Sequence, residues 1–95
     1  MPEMRFRVRW PDGALETCYS PSLVIKDYLQ PGATYPLGEF LVRCRTALRT
    51  ASDRVEAKYG FPCSRALGQL ARIEAASVRF TSSPEAEVGV ENFEE

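Results

Sequence analysis

The stretch YGFPCSRA, residues 59–66, holds the residues best placed to do chemistry. Cys63 follows a Gly-Phe-Pro turn, precedes Ser64 and Arg65, and stands where a helical pattern begins. A thiol at a helix N-terminus beside a guanidinium is stabilised as the thiolate. That would suit thiol exchange, redox sensing or covalent carriage. Proton-transfer chemistry is poorly served, because a nucleophilic cysteine normally works with a base, most often histidine, and the chain has no histidine. The plainer reading makes Cys63 a small half-buried residue at a helix entry, with Ser64 supplying the hydroxyl of the cap.

The other candidate groups are weaker. Cys18, in CYSPS, falls at a strand end and could approach Cys63 in space. The three cysteines, Cys18, Cys44 and Cys63, are an odd number with no CxxC spacing. A zinc site would need all three thiolates and a carboxylate, so no metal is expected and no cofactor is called for. Unpaired cysteines fit the reducing cytoplasm. No spacing joins Asp27, Asp53 or Glu56 into an acid–base pair. The row Arg5, Arg7, Arg9 and the stripe Arg65, Arg72, Arg79 read first as solvated faces. No glycine-rich phosphate loop or interleaved aromatic accompanies them. With 12 basic and 13 acidic residues, the net charge of −1 argues against nucleic-acid binding. The opening MPEMRFRVRW lacks the apolar run of a signal peptide, and no stretch reaches the length of a membrane span.

These groups must be positioned by one small domain over residues 1–95. Met4, Phe6, Val8 and Trp10 alternate with arginines, the period of a strand with one buried face. Asp12-Gly13 predicts a two-residue turn and a hairpin over residues 4–20. That register sets Trp10 opposite Leu15, Val8 opposite Thr17 and Phe6 opposite Tyr19, all facing the core, with Arg7 opposite Cys18 outside. Pro11 allows a longer loop. Ser20 and Pro21 suit the start of a short helix or turn over 21–30. Residues 36–59 form the clearest helix, opened by Pro36 and closed by Gly60, with Leu37, Phe40, Leu41, Cys44, Leu48, Ala51, Val55 and Tyr59 on one face. A second helix spans 63–80, its seam being Leu67, Leu70, Ile73 and Ser77. The acidic segment 84–95 reads as a third strand or a tail, its glutamates beside the β-hairpin arginines. The fold class is therefore α+β: a small antiparallel sheet packed against two main helices.

Taken together, MRFRVRWPDG, CYSPS, YPLGEF, ASDRV and YGFPCSRA resemble the small bacterial nitrogen starvation response proteins. The resemblance runs over about residues 1 to 80 and rests on the order and spacing of these motifs. Such proteins are encoded in clusters with a nitrilase, a radical SAM protein, a flavin-dependent oxidoreductase and an acetyltransferase-like protein. The resemblance implies a cytoplasmic protein of nitrogen metabolism. Its members usually keep the cysteines matching Cys18 and Cys63, which implies a role for both.

The expectation for function is a non-enzymatic accessory protein, binding an enzyme of that cluster or a small anionic intermediate. Its surface would comprise Cys18, Tyr19, Ser20, Tyr59, Cys63, Ser64 and Arg65. A helix N-terminus with free amides, a cation and hydroxyls motivates that choice. The competing expectation is a small thiol-dependent enzyme or carrier using Cys63. A homodimer, through an open sheet edge or the long helix, is a further arrangement.

Overall fold

A computed structural model of the chain describes residues 2–95. Strands β1 (Met4–Arg9) and β2 (Leu15–Ser20) are followed by a one-turn helix α1 (Ile25–Tyr28) and a short strand β3 (Thr34–Pro36). Helices α2 (Leu37–Tyr59) and α3 (Ser64–Ser77) come next, then a 3₁₀ turn (Val78–Phe80) and β4 (Glu87–Glu94). The strands form one four-stranded antiparallel sheet in the order β2-β1-β4-β3. The chain is α+β, with the helices covering one face of the sheet.

The alternation in β1 does what its period requires. Met4, Phe6 and Val8 are buried while Arg5, Arg7 and Arg9 are exposed. Trp10 continues the inner row and packs edge-to-face on Phe40 at 5.8 Å and stacked on Phe80 at 6.2 Å. Its indole N–H donates to Glu16 at 2.9 Å, so the buried ring leaves no orphan donor. Phe40, Cys44 and Leu48 of α2 and Leu70 and Ile73 of α3 complete this core.

The register of the first hairpin differs from the predicted one by a single residue. Phe6 lies opposite Cys18, Arg7 opposite Thr17 and Arg5 opposite Tyr19. The loop is three residues, not two. The Trp10 N–H donates to the Ala14 carbonyl and the Gly13 N–H to the Trp10 carbonyl, both at 2.8 Å. Pro11 takes the second position of this turn, where its fixed φ fits, and Gly13 adopts a left-handed φ of 87°. A one-residue slip exchanges the faces of a whole strand. Cys18 and Ser20 therefore point into the core, and Tyr19 and Thr17 point out.

Three further corrections concern the later elements. The helix predicted over 63–80 ends at Ser77 and tightens into the 3₁₀ turn. Its buried seam is Ala66, Gln69, Leu70, Ile73 and Ser77, while Leu67 is 41% exposed. Gln69 is inside because its Oε1 accepts the Tyr19 N–H at 3.0 Å, covering one amide on the free edge of β2. Strand β3 was not foreseen; it pairs Thr34, Tyr35 and Pro36 with Gly89, Val88 and Glu87. β4 itself joins β1 to β3, with a bulge at Glu91, whose carboxylate grips Arg9 at 2.7 Å.

The two glycines at positions 13 and 68 make opposite predictions. An added Cβ meets nothing within 4 Å at either site, so backbone preference decides. Gly13→Ala is expected to destabilise the fold by about 1–2 kcal/mol, because its φ is left-handed. Gly68→Ala, at an exposed helical position, is expected to stabilise by about 0.5–1 kcal/mol. Urea unfolding of both variants measures each change.

Candidate functional site

The residues singled out around Cys63 divide between two environments. Tyr19, Tyr59 and Cys63 line one shallow cleft of about 200 Å³, together with Glu3, Pro21 and Val55. Tyr19 reaches it from the outer face of β2, Tyr59 from the last residue of α2, and Cys63 from the cap of α3. The left-handed Gly60, with φ 89°, ends α2 and turns the chain back toward this site. Cys63 is half-buried, and its backbone N–H donates to Ser52 Oγ at 3.1 Å.

Arg65 stands beside the cleft, with its guanidinium 3.9 Å from the centre of the Tyr19 ring. It also lies 4.0 Å from the Glu3 carboxylate. Tyr19 has its pKa raised, first by burial and then by its hydrogen bond to Glu3, against the opposing pull of Arg65. On the far wall, the Lys58 ammonium lies 5.6 Å from the Tyr59 ring centre. Tyr59 is 54% exposed, and the neighbouring Phe61 is 65% exposed. The site is thus an aromatic cleft with a carboxylate inside it and cations at its rim.

The remaining predicted residues lie elsewhere. Cys18 is fully buried on the inner face, where its electrostatic neighbours include Cys44 and Glu16. Burial drives the Cys18 thiol far up, with Glu16 and Cys44 adding to the effect. Burial pushes the Cys44 thiol up to about 12. Ser20 is buried too, and does not cap a helix. Its hydroxyl donates to the Ser22 carbonyl at 2.7 Å and accepts the Ser22 N–H at 3.3 Å, while Ser22 Oγ accepts from Val24 and Arg54. Ser64 is exposed and is not the cap of α3; Cys63 takes that position, with no side-chain capping bond.

Sequence reasoning left out three members of the cleft: Pro21, Val55 and the one that carries charge, Glu3. It precedes the alternating run, belongs to no motif, and reaches the cleft because β1 places it beside Tyr19 on the neighbouring strand. A broader concavity of about 660 Å³ lies at the hairpin turn, formed by Pro11 and residues 82–87. It holds serines, prolines and glutamates but no cysteine. Among the described residues, no group of three Cys, Asp or Glu side chains is arranged to hold a metal ion. Among them also, no helix is long and apolar enough to cross a membrane.

Fold and cleft together define a small α+β protein whose accessible thiol lies in an aromatic surface cleft. No curated protein and no solved structure matches the chain. A family model described as nitrogen starvation-induced protein NitG matches residues 5–93. The chain belongs to that family.

The three thiols are expected to separate in their reactivity. A disulfide reagent should modify Cys63 in the folded protein and reach Cys18 and Cys44 after unfolding; mass spectrometry of the labelled peptides reads the order. The raised thiols also link stability to pH. The folded state keeps Cys44 protonated between pH 9, where the unfolded chain loses the proton, and about 12. Its contribution is therefore full below pH 9 and is lost as pH rises toward 12, at up to about 1.4 kcal/mol per pH unit. Cys44→Val is expected to show a shallower decline over that window in urea unfolding.

Proposed function

We propose that the chain is a non-enzymatic accessory protein of a nitrogen-starvation response, acting in the cytoplasm by holding an enzyme of a nitrile-linked pathway. The observation that carries this reading is the cleft between Tyr19 and Tyr59. Its volume, about 200 Å³, is smaller than the ~300–1,000 Å³ of ordinary small-molecule sites. It suits one inserted side chain of a partner better than a metabolite. Tyrosine is enriched among interface anchors, and the exposed Phe61 extends the apolar surface on the same turn. Arg65 lies at its edge.

A protein partner is favoured over a small anionic intermediate. The Glu3 carboxylate occupies the cleft, and Arg65 is already engaged by Glu3 and Tyr19. A free anion would meet a like charge and a cation that is spoken for. Membership of the nitrogen starvation-induced family supports the physiological setting. The link to a nitrilase-containing gene cluster rests on the resemblance of the sequence motifs.

The second reading, a small thiol-dependent enzyme or carrier, draws on one observation: of the three cysteines, Cys63 alone is partly exposed, and it lines the cleft. The two readings diverge on substitution. Affinity purification of the tagged protein from nitrogen-starved cells should recover a nitrilase-cluster enzyme in stoichiometric amount. Tyr19→Ala or Tyr59→Ala should abolish that recovery, while Cys63→Ser should leave it nearly unchanged. Recovery of the chain alone or as a homodimer, with growth under starvation lost in Cys63→Ser, would replace the accessory reading with the thiol one.

A further inference from the structure

Three concavities meet at Pro84 and Ala86, on the turn that leads into β4. One is an apolar groove of about 280 Å³, where Leu37 and Leu41 of α2 face Phe80 of the 3₁₀ turn. The other two, of about 660 and 450 Å³, are open troughs along residues 82–87. Glu85 and Glu87 line both troughs and are exposed. Among the described residues no lysine or arginine lines any of the three, and neither glutamate has an ion pair. The cations of the neighbouring segments are committed. Arg9 is held by Glu91 at 2.7 Å, Arg43 by Glu39 at 3.0 Å and Arg79 by Asp12 at 3.4 Å. Arg79 also lies over the Phe80 ring. When these pairs are set aside, Glu85 and Glu87 are left uncompensated.

We propose that this surface docks a basic segment of a partner protein, with one apolar side chain in the groove and flanking lysines or arginines on Glu85 and Glu87. The groove falls below the ~300–1,000 Å³ of ordinary small-molecule sites and has room for one branched or aromatic side chain. The troughs beside it supply the charge. Opposite potentials steer and orient a partner, and two unpaired carboxylates with no opposing cation in the lining give this surface one sign. An anion fits it less well. The start of α2 would attract one, but its Leu37 N–H is taken by the Ala86 carbonyl at 3.0 Å, and Glu39 stands in its first turn. The surface gathers the end of β1, the start of α2 and the approach to β4, whereas the Tyr19–Tyr59 cleft lies at the other end of α2. The inference stands whether or not that cleft holds an enzyme.

Exposed ion pairs are individually weak, so the test must read weak binding. The ¹⁵N-labelled chain would be titrated by NMR with acetyl-Lys-Leu-Lys-Lys-amide at low salt. The amides of Gly38, Phe80, Glu85 and Glu87 should shift, while those of Tyr59 and Cys63 stay in place. The affinity should fall about threefold or more in the Glu85→Gln/Glu87→Gln double variant and on raising salt to about 0.5 M. Gly38 lines the groove, and a Cβ added there meets nothing within 4 Å, so Gly38→Phe should fill the groove and weaken binding as well. Asp53→Asn, an exposed change on α2, should leave the titration unaltered, and the variants' own spectra report their folding. Several results would each overturn the proposal: absence of shifts, equal shifts with the glutamine version of the peptide or with spermidine, or an unchanged titration in the double variant. Shifts of the same amides with protein concentration alone would do so too, by assigning the groove to a second copy of the chain.

Discussion

Two backbone hydrogen bonds at the tip of the first hairpin, between Trp10 and Ala14 and between Gly13 and Trp10, fix which side of β2 faces the helices. A strand has no intermediate choice: its side chains belong to one face or the other. With the three-residue loop, Cys18 and Ser20 join Met4, Phe6 and Val8 in the core, and Glu16 is brought to the Trp10 indole. Tyr19 is left outside, free to stack under Arg65 and to form one wall of the cleft. The aromatic cleft and the buried thiol at position 18 are consequences of the same turn.

The helices then add constraints that no single segment carries. α2 brings Phe40, Cys44 and Leu48 over the sheet, and its first N–H is fixed by the Ala86 carbonyl at 3.0 Å, on the approach to β4. α3 follows after a short turn and reaches the edge of β2 through Gln69. That contact is bought with a buried Gln69 Nε2 that has no partner among the described residues. The acceptor side of the amide is used twice, by Tyr19 and Arg72, which shows where the side chain's value to the fold lies. Covering an amide of an edge strand makes it a poorer template for another chain.

Much of this was legible from local signals. The alternation over residues 4–10 declares a strand, and Pro36 and Gly60 bracket a helix whose apolar residues recur at helical spacing. The sense of Asp12-Gly13 as a turn was also readable, but its type was not, because Pro11 and the left-handed Gly13 together favour the longer loop. β3 has three residues, too few to show any period, and exists because β4 offers it partners. Gln69 looks like a surface residue until the β2 edge is set beside it. At the cleft, the YGFPCSRA turn drew attention to Tyr59 and Cys63 by its own chemistry. Cys18 and Ser20 were drawn in as a thiol and a hydroxyl at the strand end, with Cys18 also favoured by the motif resemblance, and the register sends both to the opposite face. Glu3 has no local signal at all; its place follows from strand pairing.

The position of β4 has a consequence for how the chain comes into being. Residues 87–94 sit between β1 and β3, in the interior of the sheet, although they follow every other element along the chain. Until they leave the ribosome, β1 has a partner on one side only and β3 has none. The hairpin and α2 can form as the chain emerges, yet the sheet that joins them waits for β4. Completing the sheet thus closes long loops at once, with slow pairing and a period of exposed strand edge as its cost. Loss of residues 87–94 would accordingly split the sheet through its middle rather than trim its margin.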